Sequence, residues 1–168
     1  MSSHDSTAFE FLFYNRWANL KLIDTLRDLA SEQLDASMVG GYGSIYDTLH
    51  HLIRAEASYY RRLTGTRLEP PFSWDDRPSI AEIRPYAEQV SSALLEAADE
   101  LARTDRIITE DDEEGIYSYK APTLLIQIVN HGIEHRTNIT TILAQQSIDA
   151  PDIAGWGYMG SNLDRLGG

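Results

Sequence analysis

Two histidines four residues apart, His131 and His135 in the run NHGIEHRTN, carry the clearest chemical potential in this sequence. On a helix, residues four apart stack on one face, so their imidazoles can close on a single metal ion. Buried without an ion, each ring needs hydrogen-bond partners of its own, and a buried polar atom left unsatisfied costs about 1–3 kcal/mol. The spacing also arises by chance in helices, so two ordinary core histidines are the competing interpretation. The inventory favours the metal: only five histidines exist, and apart from His4 near the N-terminus and this pair they are His50 and His51, also in mid-helix. Three protein ligands with open positions for water or substrate are a common build for a catalytic metal centre.

Periodicity leaves the third ligand open. On the segment carrying His50 and His51, the apolar stripe is centred near Leu52 and Glu56. At about 100° per residue, His51 lies roughly 120° and His50 roughly 140° from that centre. Glu56 is itself unusual, a carboxylate on an apolar stripe. It could accept from an imidazole N–H, or form a salt bridge with Arg16 or Arg136. Glu56 and Glu134 are also the candidate general bases, neither singled out by its pattern.

Four long segments must position these residues. The first spans about Ser6 to Ala30, with Phe9, Leu12, Phe13, Trp17, Leu20 and Ile23 at steps of three and four. A turn-like SEQLDASMVGGYGS follows, and Ser44 is a natural N-cap for a helix reaching about Thr64. Prolines exclude regular helix from GTRLEPPFSWDDRP. Ser79 and Glu82 stand in capping-box spacing for a third helix to about Thr104. Alternation in RIITEDDEEGIYSYK predicts a short hairpin around an acidic turn. The last helix runs from about Pro122 to Gln146, with Leu124, Ile128, His131, His135, Asn138 and Ile142 inward. The tail SIDAPDIAGWGYMG reads as irregular. The expected class is all-α, a four-helix bundle with one long crossover. Phe13, Tyr14 and Trp17 read as core; Phe72 and Trp74 could line a pocket mouth; Trp156 and Tyr158 could cap the bundle or cover a partner.

Composition narrows the functions. The 168 residues fit one domain over 1–168. A formal charge of -12 argues against nucleic acid, which needs a surplus of Lys and Arg. No apolar run is long enough for a bilayer span, and no signal peptide is expected. The absence of cysteine excludes disulfides, zinc-thiolate sites and a cysteine nucleophile, and accords with a cytoplasmic protein. The acidic run TEDDEEG, residues 109 to 115, lacks the ordered spacing of a cation-binding loop.

Several stretches together resemble the DinB / YfiT-like family of metal-dependent proteins. They are YNRWANLKLIDTL, SEQLDA, SIYDTLHHLIRAEASYYRRLTG and LLIQIVNHGIEHRTNITTIL, covering nearly the whole chain. The family is similar in placing a His five residues before an acidic residue, which selects His51, ahead of Glu56, over His50. Its Asn-His-x-x-x-His-Arg motif corresponds to Asn130, His131, His135 and Arg136. Departures fall at Thr137 and Asn138, where relatives often read Gly-Gln, and at Glu134, where they often carry a further His. The resemblance implies an up-down-down-up bundle, often a homodimer, with a divalent metal, zinc or nickel, held by His51, His131 and His135. It also implies a small-molecule substrate and thiol-dependent S-transferase or isomerase chemistry, with metal-assisted hydrolysis a further candidate. The alternative is a non-catalytic metal-binding or stress-response accessory protein, and behind it a metal-free bundle with satisfied core histidines.

Overall fold

The computed structural model describes residues 6–112 and 115–161; His4 and residues 113–114 of the acidic run lie outside them. Its helices begin where short polar caps stand in the sequence. The Ser6 hydroxyl accepts from the Phe9 N–H at the start of α1 (Thr7–Leu26). A short α2 (Ser31–Leu34) precedes α3 (Ile45–Thr64), which opens on a Ser44–Asp47 capping box. Helix α3 ends at Gly65, whose φ of 76° is the left-handed C-cap conformation that favours glycine. The Ser79–Glu82 capping box opens α4 (Ile80–Glu96), followed by α5 (Ala98–Ala102). Strands β1 (Ile107–Asp112) and β2 (Gly115–Lys120) pair antiparallel, Ile107 opposite Lys120. Helix α6 (Ala121–Gln145) has Pro122 in its first turn, where the missing N–H is harmless, and α7 (Gly155–Ser161) closes the described chain.

Side-chain contacts fix the directions of the bundle helices. Arg84 meets Asp24 while Arg16 meets Glu88, so α4 runs antiparallel to α1. His51 meets His131 while Tyr59 meets Gln127, so α3 runs antiparallel to α6. Gly132 approaches Asn15 while Arg136 reaches Asn19, so α6 runs parallel to α1. The result is up-down-down-up, with residues 65–79 as the crossover between the parallel α3 and α4. Leu22, Ile23, Leu49, Leu52, Ile83, Leu94, Ile128 and Ile142 fill the shared core. No described helix is long and apolar enough to cross a membrane.

Four expectations change. Helix α1 stops at Leu26 rather than Ala30, because Gln33 folds back to accept from the Ala30 N–H and starts α2 within the supposed turn. The third helix breaks at Ala97, so α5 is a separate turn. The tail contains α7, whose Tyr158 packs against Phe13, Tyr14 and Trp17. Those three aromatics therefore form a half-buried cluster on the flank of α1, while Asn15, Ala18 and Asn19 take the core-facing positions. Trp156 is largely exposed.

Candidate metal centre

Helices α3 and α6 bring His51, His131 and His135 together. The ligand-type nitrogens of the three rings all lie within 4.8 Å of one another. His131 Nε2 is 3.0 Å from His51 Nε2 and 3.0 Å from His135 Nε2. An imidazole nitrogen offers one in-plane position, a proton or a lone pair. His131 Nε2 could at best share that position between two partners, so hydrogen bonding alone accounts poorly for the convergence. Three imidazole nitrogens gathered this closely suit a cation.

The rings are held neutral, as a metal ligand must be. Burial lowers the pKa of His131 to about 4, reinforced by the charge His135 and His51 would carry if protonated. Burial also lowers His135 and His51, with neighbouring His51 and Arg54 respectively adding to the effect. Two aromatic rings pack against the cluster. Tyr42 stacks on His51 with centroids 4.2 Å apart and meets His135 edge-on at 5.0 Å; Tyr59 meets His131 edge-on at 5.7 Å. Tyr42 was not readable as a cluster residue, since it lies in a glycine-rich turn rather than on a helix stripe.

His50 goes elsewhere. Its ring packs against Trp74 at 4.5 Å and Tyr46 at 6.2 Å, on the side of α3 turned toward the crossover. Glu134 is exposed on α6, near enough for its charge to act on His135. The expected inward step from His135 to Asn138 is corrected: the helix turns Arg136 and Ile139 inward and leaves Asn138 only partly covered.

Glu56 takes neither expected role. Its Oε1 accepts from Asn15 Nδ2 at 2.6 Å and from Asn19 Nδ2 at 2.7 Å. Both asparagine Oδ1 atoms accept from Arg136 Nη1 at 2.7 Å. Carboxylate and guanidinium, 1 % and 2 % exposed, are thus bridged by two amides instead of touching, and no described hydrogen bond links Glu56 to an imidazole. Burial pushes the Glu56 carboxyl up, against the pull of the Asn15 and Asn19 amides and the charge of Arg136. Burial pushes Arg136 down, but an arginine remains protonated. The Arg136 guanidinium also lies 5.5 Å from the Tyr14 ring centre. Gly132 is required here, because a Cβ at this position would meet Asn15 Oδ1 and come within 2.7 Å of Arg136 Nη1. The sequence signal for this network was two asparagines at i and i+4 on the apolar side of α1, which the aromatic stripe obscured.

Two comparisons agree with this architecture. The model of the DinB family matches residues 1–159. Protein DinB of Bacillus subtilis (strain 168) is 25% identical over 148 residues, covering 82% of this chain and 85% of that protein.

Removing one partner of a buried charge pair strands the other. Glu56→Ala is therefore expected to cost about 3–5 kcal/mol in denaturant unfolding of the metal-free protein, and Glu56→Gln less, since its amide oxygen can still accept from both asparagines. Combining Glu56→Leu with Arg136→Met should lose less than the sum of the single changes. Unfolding of Glu56→Ala indistinguishable from the parent would show that the network does not hold the bundle.

Proposed function

The chain belongs to the DinB family, and from that premise we propose that it is a divalent-metal-dependent enzyme whose ion is held by His51, His131 and His135. The observation that carries this reading is the convergence of the three rings, with His131 Nε2 at 3.0 Å from both neighbours. Three neutral imidazoles suit zinc or nickel. A bound divalent ion lowers the pKa of a water or thiol in its open position, which gives a nucleophile at neutral pH. The chain's own residues do the remainder. The α3–α6 contact sets the spacing of the rings, burial keeps them unprotonated, and Tyr42 and Tyr59 pack against them. The reactions this arrangement best serves are S-transfer from a low-molecular-weight thiol to a small electrophile, and hydrolysis. One observation favours a metal-binding protein without turnover: no described carboxylate is hydrogen-bonded to the cluster, and Glu56 is committed to the asparagines. The proposed assembly is a homodimer, for which Ile126 and Ile133, exposed two turns apart on α6, offer apolar surface.

Protein purified without chelator or His-tag should contain about one divalent ion per chain, lost in His131→Ala, His135→Ala and His51→Ala but kept in His50→Ala. Metal retained in the first two variants would sink the reading, while full metal with no turnover across a panel of thiols and electrophiles would favour the non-catalytic one. Protons compete with the ion for the ring nitrogens. Because burial lowers all three rings from 6.5, with His131 at about 4, affinity should be flat from pH 8 to near 6.5 and weaken only below it. Metal titrations at stepped pH check this, and a decline already between pH 8 and 7 would contradict it. Light scattering should give a dimer mass for the parent and a monomer mass for Ile126→Asp with Ile133→Asp; an unchanged mass would exclude this face as the interface.

A further inference from the structure

The crossover between α3 and α4 does more than connect them. With the outward side of α3 it walls a cleft of about 610 Å³, within the size range of small-molecule sites. Arg54, Ser58 and Arg61 lie on this cleft from α3 at i, i+4 and i+7, one continuous stripe. Phe72 and Trp74 line the opposite side, in edge contact with centroids 4.8 Å apart.

Cations are scarce in a chain of charge -12, and most are already engaged. Arg16, Arg62, Arg67, Arg77, Arg84 and Arg103 each pair with a carboxylate, and Arg136 is held by the asparagines. Arg54 and Arg61 line the cleft without a hydrogen-bonded or ion-paired side-chain partner among the described residues. Of the acids there, Glu69 is engaged by Arg67 at 2.8 Å, which leaves Asp75 against two free guanidinium groups. The Ser58 hydroxyl oxygen accepts from Arg62 Nε at 3.5 Å, so its proton is available to a ligand.

The aromatic wall is preformed. The Tyr86 hydroxyl donates to the Leu68 carbonyl at 2.7 Å and the Tyr46 hydroxyl to the Pro78 carbonyl at 2.9 Å. Pro70, Pro71 and Pro78 restrict the backbone between and beside these anchors. A site already rigid before binding loses little entropy when it is filled. Fifteen or so residues without long regular structure in a compact fold are more often functional than idle.

We propose that this cleft binds a small organic anion, a carboxylate or phosphate ester with an aromatic or apolar body. The anionic group lies between Arg54 and Arg61 with the Ser58 hydroxyl as a further donor, and the body lies against Phe72 and Trp74. None of the three clustered histidines lines the cleft, and the site needs no metal. His50 packs against Trp74 at the crossover edge of the cleft, while on its other edge Arg54 is near enough for its charge to act on His51.

The test is titration of the full, metal-free chain with phenyl phosphate, benzoate, inorganic phosphate and the neutral benzyl alcohol, followed by amide shifts in NMR. Saturable shifts at residues 54–61 and 67–75 are expected with phenyl phosphate or benzoate, and whichever binds tighter identifies the anionic group. Arg54→Ala and Arg61→Ala, each with a parent-like spectrum elsewhere, should weaken binding roughly tenfold, and His131→Ala should leave it unchanged. Equal affinity for benzyl alcohol, equal affinity for inorganic phosphate, or unaltered binding in the double arginine variant would overturn the proposal. Binding abolished by His131→Ala would overturn it too, by placing the ligand at the cluster. None of these outcomes depends on whether the histidines hold a metal.

Discussion

A buried charge pair that never touches organises this bundle. Taking a carboxylate and a guanidinium out of water costs several kcal/mol per ion even after relaxation, so the interior must return that energy through well-made hydrogen bonds. Asn15 and Asn19 return part of it by pointing both amide NH2 groups at Glu56 Oε1 and both carbonyls at Arg136 Nη1, while Glu56 Oε2 and Arg136 Nη2 stay buried without a hydrogen-bond partner among the described residues. Each amide can bond both charged groups in only one orientation. The four bonds therefore specify the mutual register of α1, α3 and α6, because sliding one helix by a single residue rotates its side chains by about 100°. Apolar packing alone tolerates such shifts more readily.

The same register sets the histidines without touching them. On α6, Gly132 and Arg136 form one i, i+4 column toward α1, and His131 and His135 form the adjacent column toward α3. On α3, Glu56 follows His51 by five residues, about 140° around the helix, so one enters the interior while the other faces the α6 flank. Locking Glu56 and Arg136 in place thus fixes where three imidazoles meet. Charges and neutral rings are kept separate: the asparagines hold both formal charges, and the histidines sit where burial and one another keep them unprotonated.

What was legible in the sequence was local. Ser6, Ser44 and Ser79 mark helix starts because a cap needs only residues three positions away, and the hairpin follows from alternation on either side of a turn. Features that depend on which neighbour arrives were not legible. His50 and His51 differ by one residue step, which periodicity does not separate; only the fold shows that His51 meets α6 while His50 meets Trp74. After His135 the inward stripe takes a step of four to Ile139 instead of three to Asn138, since Arg136 has partners on α1 waiting for it. The amphipathic count on α1 followed its aromatics, yet Trp17 and Tyr14 face a tail helix from the far end of the chain. Tyr42 reaches the cluster from a turn, where no periodic signal exists.

The choice of three imidazoles, with the nearest carboxylate diverted into the network, has an electrostatic consequence for the proposed site. A carboxylate ligand would neutralise half the charge of a divalent ion, whereas neutral rings leave that charge intact. Among the groups acting on the cluster, Arg54 raises the local potential at His51 and Glu134 lowers it at His135. A divalent ion held there would favour whatever becomes anionic in its open position, and a thiol would ionise more completely than water because its proton is the easier one to lose. The cysteine-free composition fits that arrangement, since the chain itself supplies no competing thiolate.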